Sequence, residues 1–346
     1  MQKIEQEPWQ TRWKRRLTSI PILFALLIVY TILLPLILCL TMLFDIFKKN
    51  RLAATRGAIM LFFYIGLSNY CLGISIVLWV LFGVWLPADN TFYLKLNFRL
   101  QWFWARMLLT VGFSLYGLKL KVEGLEELEK GPYLLFMRHS SLADALLPAN
   151  LASRNYGTLL RYVLKKEMLW EPCFDVVGNR IPNYFVNRSA EDNQVEIENV
   201  GKLATDLSAH EGVVIYPEGT RFSHKKRNAL IEKYSGDANP ALQERLIRYT
   251  HVLPPRFGGP MVLLKNAQHA DVVFMAHYGL DKATHFSDLL AGRIIGSDIS
   301  IRLWRVRAQD IPSEDEAIKS WIDVQWLEVN RFIAQKEASE QQTQSV

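Results

Sequence analysis

A histidine and an aspartate stand five residues apart, directly after an apolar segment that is typical of a buried strand. The segment Tyr133–Met137 leads into His139, and Asp144 follows about one helical turn later. At this spacing the carboxylate can reach one ring nitrogen, which fixes the tautomer and stabilises the imidazolium that forms when the other nitrogen accepts a proton. The pair could therefore act as a general base. The alternative is that His139 is a surface or helix-capping residue, and the motif taken alone favours this alternative over a catalytic role.

A second group of polar residues follows the apolar segment Val213–Tyr216. It forms a turn at the end of a predicted strand, the place where α/β sheets bind ligands, and it consists of Pro217, Glu218, Gly219, Thr220 and Arg221. We expect Glu218 and Arg221 to lie close enough to pair or to share a phosphate, to which the planar arginine fork donates two hydrogen bonds. A glycine-stabilised turn with a surface salt bridge is the alternative.

Other segments add positive charge or a rigid turn. Arg188 precedes a helix start at Ser189 and could contact a second anionic oxygen, although a lone arginine at such a boundary is more often solvated. Lys165 adds a further cation. The glycines of the turn 252–259 allow the backbone to approach a ligand closely.

The elements that must position these residues begin with two runs that lack any charged residue, Leu17–Phe44 and Gly57–Ala88. Both exceed the roughly 20 residues that cross a bilayer as a helix, so we expect a two-helix membrane hairpin over about residues 17–44 and 57–88. A half-inserted hairpin and a pair of buried core helices are the alternatives. The first 56 residues carry the whole formal charge of +6. One group of basic residues precedes the hairpin and another lies in its loop. The two groups nearly cancel in the positive-inside rule, which therefore does not settle the orientation.

The rest of the chain shows a different pattern. Aromatic residues between Phe92 and Met107 are interleaved with Lys95, Arg99 and Arg106, which suits either a helix at the headgroup level or an amphipathic helix packed on the domain. Beyond Gly117 short apolar strands alternate with helices, which predicts an α/β fold with strands buried on both faces. The predicted strands are Lys119–Val122, Tyr133–Met137, Val213–Tyr216, Val272–Ala276 and Ile299–Leu303, and the predicted helices include one from Ser189 to about Ala209 and one from Ser313. We therefore divide the chain into residues 1–90 (basic segment and hairpin), 91–334 (interfacial helix and catalytic domain) and 335–346 (a frayed polar tail).

Composition excludes several classes of function. Residues 57–346 have no net charge, which argues against a nucleic-acid-binding protein. The three cysteines, Cys39, Cys71 and Cys173, are too few and too scattered for a disulfide scaffold or a thiolate zinc site. His210, His224 and His251 lack the spacing of metal ligands, so we expect no metal.

The order and spacing of the motifs resemble the lysophosphatidate acyltransferase family of glycerolipid acyltransferases. The resemblance rests on His139-x-x-x-x-Asp144, Phe185-x-x-Arg188, the P-E-G-T-R sequence at 217–221 and the Leu-Pro-Pro turn at 253–255, and it covers roughly residues 118–278. It implies an α/β fold with a mixed sheet flanked by helices and an N-terminal membrane hairpin. It also implies that His139 is the general base, that Asp144 orients it, and that the acceptor phosphate is bound by Lys165, Arg188, Glu218, Gly219, Thr220 and Arg221.

Two residues depart from the family pattern. Pro182 stands where the family usually has glycine, which puts the backbone there in doubt. Arg138 stands where an asparagine often precedes the motif histidine. Arg138 could add a cation near the phosphate or donate to a neighbouring carbonyl.

The resemblance implies a membrane-bound O-acyltransferase that needs no cofactor. The enzyme would move an acyl chain from acyl-CoA or acyl carrier protein to the free hydroxyl of a lysophospholipid, with lysophosphatidate as the expected acceptor. Another acceptor, such as glycerol 3-phosphate or a different lyso-lipid, and an inactive membrane adaptor are the alternatives. Because both donors are cytoplasmic, we expect an integral protein of the cell (inner) membrane whose catalytic domain faces the cytoplasm.

Overall fold

The computed structural model describes residues 7–141, 143–187, 193–234, 240–284 and 286–344. In these ranges the helices are α1 (Trp9–Lys48), α2 (Ala53–Leu78), α3 (Thr91–Tyr116), α4 (Leu146–Pro148), α5 (Arg154–Tyr156), α6 (Pro172–Val176), α7 (Asn193–Gly201), α8 (His224–Tyr234), α9 (Pro240–Arg248), α10 (Gly258–Asn266), α11 (Phe286–Leu290) and α12 (Asp315–Gln344). The strands are β1 (Lys119–Glu123), β2 (Tyr133–Met137), β3 (Leu159–Lys165), β4 (Tyr184–Val186), β5 (Glu211–Ile215), β6 (Asp271–Tyr278) and β7 (Asp298–Val306). A π-helical turn, Trp79–Gly83, prolongs α2, and another, Ala149–Ser153, joins α4 to α5.

The seven strands form one mixed sheet in the order β1-β7-β6-β2-β5-β3-β4. β6 and β7 are antiparallel, and all other neighbours are parallel. At the centre, Leu135 of β2 lies opposite Val214 of β5 and Val273 of β6. The mixed sheet confirms the expected fold class, and β2 begins and ends at the predicted residues.

Helices cover both faces of the sheet, because adjacent strand residues point to opposite sides and both sides are apolar. On one face Phe136 and Phe274 belong to the same buried cluster as Trp326 of α12. On the other face Leu135 belongs to a cluster that includes Leu109 of α3. The carboxyl ends of the central strands are therefore held between two packed layers.

The two long apolar helices α1 and α2 form the predicted hairpin, and both are long and apolar enough to cross a membrane. Asp45 closes the turn between them: its carboxylate accepts hydrogen bonds from the backbone amides of Ala54 (2.9 Å) and Thr55 (2.7 Å) at the start of α2. The apolar part of α1 is almost entirely exposed, whereas a third of the corresponding part of α2 is buried. The outer helix therefore presents a large apolar surface.

The hairpin contacts the α/β domain at both of its ends. Near the start of α1, Arg15 donates from Nε and Nη2 to the two carboxylate oxygens of Asp175 (3.0 and 2.9 Å). In the hairpin loop Arg51 donates to a backbone carbonyl before β7 (3.0 Å), and towards the end of α2 the Ser75 carbonyl accepts from Arg180 (2.7 Å). The hairpin thus lies along the domain.

Helix α3 packs against both the hairpin and the domain. Trp104 donates from Nε1 to the Ser68 hydroxyl of α2 (3.2 Å), and the Ala105 carbonyl accepts from Asn150 on the domain (3.4 Å). Lys95 and Arg99 on its remaining face are exposed. α3 is therefore a packed amphipathic helix with an exposed cationic side.

The C-terminal helix differs from its prediction. The tail from residue 335 was expected to be frayed, but α12 continues to Gln344, so the boundary between residues 334 and 335 falls within one helix. The tail is held because Glu340 accepts hydrogen bonds from Tyr278 (2.6 Å) and from Lys282. The predicted helix start at Ser189 lies outside the described residues, and α7 ends at Gly201 with a 3₁₀ turn to Ala204, short of Ala209.

Candidate active site

Strands β2 to β6 run parallel to one another, so their carboxyl ends meet at one edge of the sheet. His139 follows β2, Lys165 closes β3, and Glu218 lies three residues beyond β5. Arg188 lies outside the described residues. The topology therefore brings three of the predicted segments to the edge where α/β proteins bind ligands.

His139 and Asp144 form the contact that their spacing predicts. Nδ1 of His139 lies 3.0 Å from Oδ2 of Asp144. The carboxylate is fully buried, whereas 18% of the imidazole is exposed. The imidazole also packs on the ring of Tyr216, with ring centroids 4.5 Å apart. The histidine is thus held on one side and accessible on another.

The surroundings of Asp144 keep its carboxyl group ionised. Burial alone would raise the pKa of Asp144, but His277, His139 and the amide of Ser141 outweigh burial and hold that pKa well below its usual range. Oδ2 also accepts from the backbone amides of Ser140 (2.5 Å) and Ser141 (2.8 Å), and Oδ1 accepts from the Ser141 hydroxyl (2.7 Å). Because an ionised carboxylate can only accept, Nδ1 of His139 carries the proton and Nε2 is left as a proton acceptor.

A second histidine, His277 at the end of β6, lies on the other side of the same carboxylate. Its Nε2 is 3.5 Å from Oδ1 of Asp144 and 3.1 Å from the carbonyl oxygen of Arg138. Two acceptors at one nitrogen require that Nε2 carries a proton. Burial lowers the pKa of His277, and the cation of Arg138 adds to this, although Asp144 opposes it. His277 is therefore a neutral donor that helps to hold Asp144.

The side chain of Arg138 is structural. Its Nη1 donates to the carbonyl of His277 (2.8 Å) and its Nη2 to the carbonyl of His251 (3.3 Å). Of the two roles left open by the sequence, the geometry supports donation to neighbouring carbonyls. Arg138 and His277 thus bond to each other twice across adjacent strands, and they fix the peptide that carries His139.

Glu218 is buried, with only 2% of the residue exposed, and its carboxyl group is hydrogen-bonded to two loops. Its Oε1 accepts from the backbone amide of His139 (2.9 Å) and its Oε2 from that of Leu253 (2.8 Å). Burial raises the pKa of Glu218 to about 7, against the lowering effect of these amides and of Arg138. The expected pairing with Arg221 is replaced by bonds from Glu218 to main-chain amides. The carboxylate joins the loop after β2 to the Leu-Pro-Pro turn.

The backbone conformation of the P-E-G-T-R turn depends on its glycine. Gly219 has φ +69°, a left-handed conformation that favours glycine, and a Cβ there would lie 3.0 Å from Cδ of Arg256. The backbone amide of Phe222 then donates to the carbonyl of His139 (2.8 Å). This bond places the turn beside the histidine.

The other predicted binding residues lie around this turn. Nη1 of Arg221 donates to the carbonyl of Thr284 (2.7 Å), and the hydroxyl of Thr220 accepts from Lys226 (2.9 Å). Lys165 is half-buried at the end of β3, which is separated from β2 by β5 and so lies about 10 Å from it. The structure therefore brings His139, Asp144, Glu218 and the 219–221 turn together, with Lys165 further along the same edge.

The sequence interpretation missed two groups of residues at this site. His277 lies near the end of an apolar strand and belongs to no recognised motif. Ser140 and Ser141 act through their backbone amides, which side-chain patterns do not reveal. Only His277 could have been found in advance, and only from topology: a histidine at the end of a strand that pairs with β2 must lie beside the loop that carries His139. Among the residues that the structure describes, no group of three His, Cys, Asp or Glu side chains could hold a metal ion.

Comparisons with known proteins relate the domain that carries this site to acyltransferases. Residues 119–277 match the Acyltransferase family. The chain is 24% identical over 258 residues to 1-acyl-sn-glycerol-3-phosphate acyltransferase epsilon of Mus musculus, covering 71% of this chain and 68% of the relative. It is 22% identical over 246 residues to the gamma enzyme of Homo sapiens, covering 68% of this chain and 62% of the relative. The matches thus span only about two thirds of the length of these relatives.

A solved structure shares the fold. The 1-acyl-sn-glycerophosphate acyltransferase PlsC of Thermotoga maritima superposes with a TM-score of 0.54 at 15% identity, covering 84% of this chain and 97% of that chain. The family match includes His139, Asp144 and the whole 217–221 turn. The fold and the motifs therefore agree with these comparisons: residues 119–277 form an acyltransferase domain, and the chain is similar to 1-acyl-sn-glycerol-3-phosphate acyltransferases.

Proposed function

We propose that this enzyme transfers an acyl chain from a thioester, acyl-CoA or acyl carrier protein, to the free hydroxyl of a lysophospholipid, with lysophosphatidate as the acceptor. The observation that carries the proposal is the partly exposed imidazole of His139, whose Nδ1 contacts a buried, ionised Asp144. Such a pair removes a proton from an alcohol without becoming a covalent intermediate itself. The names of the relatives support this acceptor.

In the proposed reaction Nε2 of His139 takes the proton of the acceptor hydroxyl as the oxygen attacks the thioester carbonyl carbon. A new carbon–oxygen bond forms, the carbon–sulfur bond breaks, and the thiolate leaves with the proton that the imidazolium returns. Asp144 stabilises the imidazolium between these steps. The thioester is already activated, so the reaction needs no cofactor.

The two serines next to His139 support direct transfer. Ser140 and Ser141 are both buried, and the Ser141 hydroxyl donates to Asp144. Neither hydroxyl is positioned to attack a substrate that enters from the exposed side. We therefore assign these serines to holding Asp144 and not to an acyl-enzyme intermediate.

The acceptor phosphate would be held by the cations at the same edge of the sheet. We assign this role to Arg221, Lys165 and Arg188, with Gly219 and Thr220 forming the turn that approaches the phosphate. One N–H of Arg221 is bonded to a carbonyl, which fixes the direction of the guanidinium group while its other donors can serve a phosphate. Glu218 contributes by positioning the backbone of His139.

The hairpin would place this site at the bilayer that holds the lipid substrates. Because the hairpin contacts the domain at both ends, we propose that it lies half inserted in the cytoplasmic leaflet of the cell (inner) membrane, with the apolar outer surface of α1 towards the lipid tails. Lys14→Cys and Lys49→Cys, each in a Cys39→Ser background, should then react with an impermeant maleimide from the same side. Labelling from opposite sides would show a spanning hairpin.

The test of the proposed activity is an assay of the purified full chain in lipid vesicles with labelled acyl-CoA. Lysophosphatidate, glycerol 3-phosphate and neutral lysolipids are compared as acceptors, and acyl carrier protein thioester is compared as donor. We expect thiol release with lysophosphatidate and a loss of about 100- to 10,000-fold in His139→Ala. His269→Ala, which changes an exposed histidine away from the site, is the matched control.

Three outcomes would change the proposal. Activity of His139→Ala near the wild-type level would refute the general-base mechanism. Preference for glycerol 3-phosphate or another lyso-lipid would assign a different acceptor to the same site. The absence of thiol release with every acceptor would favour a membrane adaptor without activity.

A further inference from the structure

A cavity of about 370 Å³ lies between α3, the segment 149–158 and the start of β3. Its buried lining is mainly apolar and includes Phe98, Leu160 and Tyr162. Lys95 and Arg99 also line it and are exposed, so they stand at its mouth. The cavity therefore combines an apolar interior with a cationic entrance.

The charged residues that line this cavity have one sign. Helix α3 contains no acidic residue along its 26 positions, and none of the described residues that line the cavity is acidic. Lys95 and Arg99 are one helical turn apart and so project from the same face. The guanidinium of Arg106, two turns further along, lies 5.3 Å from the ring of Trp102, another lining residue. Such a surface attracts an anion that carries apolar groups.

The cavity lies beside the apolar surface of the hairpin. The ring of Phe103 on α3 lies 6.3 Å from that of Tyr70 on α2, and the ring of Phe92 lies 5.3 Å from that of Phe82 at the end of the hairpin. The exposed face of α3 thus continues the surface that α1 and α2 present. In the membrane placement proposed above, a lipid of the same leaflet can reach the entrance.

One end of the cavity lies far from the catalytic edge. It is lined by Leu159 and His210, which lie at the amino ends of β3 and β5, whereas Lys165 and Glu218 mark the carboxyl ends of these strands. Six residues of strand separate Leu159 from Lys165, a distance of about 20 Å. A lipid phosphate held at this end of the cavity would therefore lie too far from His139 to belong to the reacting acceptor.

We propose that this cavity binds one anionic diacyl glycerophospholipid of the host bilayer. The lipid phosphate pairs with Lys95 and Arg99, and part of one acyl chain packs against Phe98, Trp102 and Leu160. The lipid bound there does not take part in the acyl transfer. It holds α3 and the sheet in a fixed orientation to an anionic leaflet.

The test measures the fluorescence of Trp102 in the full chain in neutral detergent micelles, without acyl donor or lysolipid. Brominated phosphatidylglycerol and brominated phosphatidylcholine are titrated as quenchers. Because the chain has ten tryptophans, the Trp102 signal is taken as the difference between wild type and Trp102→Phe. We expect phosphatidylglycerol to bind about 30-fold more tightly than phosphatidylcholine, as two cations near an anionic lipid would give.

Charge variants distinguish binding at this site from a general attraction of anionic lipid to the basic protein. Lys95→Gln/Arg99→Gln should lose the preference, Lys95→Arg/Arg99→Lys should keep it, and Lys119→Gln/Arg307→Gln, with the same loss of charge at two exposed positions elsewhere, should also keep it. Equal quenching by both lipids, or a preference that survives in Lys95→Gln/Arg99→Gln, would overturn the proposal. Displacement of the lipid by inorganic phosphate alone, or by CoA, would equally overturn it, because the site would then serve a free phosphate or the donor. Since no acyl transfer is measured, these results are independent of the proposed function.

Discussion

Replacing Asp144 with asparagine removes the charge behind His139 while changing the volume of the side chain very little. In the structure Oδ2 accepts from His139 Nδ1 and from the amides of Ser140 and Ser141. On the other side Oδ1 faces Nε2 of His277, which also carries a proton. An asparagine must turn its NH₂ group towards one of these two sets of donors, so either orientation brings donors face to face.

The two orientations predict the size of the effect. If the amide oxygen faces His139, the imidazole keeps its tautomer but the imidazolium loses its counter-ion, and the NH₂ group opposes His277. If the NH₂ group faces His139, Nδ1 must accept and Nε2 carries the proton, which abolishes the base. Either way we expect kcat/KM to fall by about 100- to 10,000-fold, which corresponds to about 3 to 5 kcal/mol of transition-state stabilisation. The donor conflict should also lower the free energy of unfolding by about 1–3 kcal/mol.

The assay compares kcat, KM for the acceptor and thermal unfolding of wild type and Asp144→Asn in the same vesicles. We expect the loss in kcat, with acceptor KM little changed, because Asp144 is buried behind the imidazole and does not meet the substrate. A variant that retains more than about a tenth of the wild-type kcat would refute the assignment of Asp144. A loss confined to acceptor KM would instead place Asp144 in binding.

Substitutions at three further residues test neighbouring groups. Glu218→Gln removes a carboxyl whose folded pKa, about 7, lies above the ordinary 4.5. Because the folded state holds this proton more tightly, protonated Glu218 contributes about 3 kcal/mol to the free energy of unfolding; this contribution is complete below about pH 4.5 and is lost as the pH rises through 7. Denaturation at pH 5 and pH 8 should therefore show a fall in stability in wild type and not in Glu218→Gln. The same fall in both proteins would contradict the assignment. His277→Phe leaves the Arg138 carbonyl without its donor, which should cost about 1–3 kcal/mol of stability and lower kcat, and His277→Gln, which keeps a donor, should recover part of both in the same assays. Arg221→Ala should raise acceptor KM more than donor KM, whereas equal effects on both would make Arg221 structural.

The strands that could be predicted have either an uninterrupted apolar run or, as in β1 and β7, apolar residues that alternate with polar ones. β2 was delimited correctly because all five of its residues are apolar and buried. β3 was missed because Arg161 stands in its middle; the structure shows this arginine buried and bonded to Asp206 (2.7 Å) and Glu211 (3.0 Å). Those partners lie 45 and 50 residues along the chain, so local sequence could not show that the charge is neutralised.

The candidate site was predictable as a set of segments but not as a set of roles. Sequence order and the parallel-sheet rule place His139 and Glu218 at one edge, yet the sequence does not say whether an acidic side chain at that edge faces a ligand or the backbone. Glu218 bonds to two amides, one from each neighbouring loop, and this is visible only when both loops are folded. Arg138 illustrates the same limit, because its carbonyl partners belong to residues more than 100 positions away.

The contacts of the hairpin explain why its charges gave no orientation from the sequence. Arg15 and Arg16, which precede the first apolar run, both bond to Asp175 of the domain. Arg51 and Arg56, around the loop, bond to carbonyls of the domain and of α3. Both basic groups therefore contact the folded domain or α3, whereas a hairpin that crossed the bilayer would separate them by the length of a helix. The charge count that opposes one end to the other presupposes such a crossing, so it would give no answer for the half-inserted hairpin proposed above.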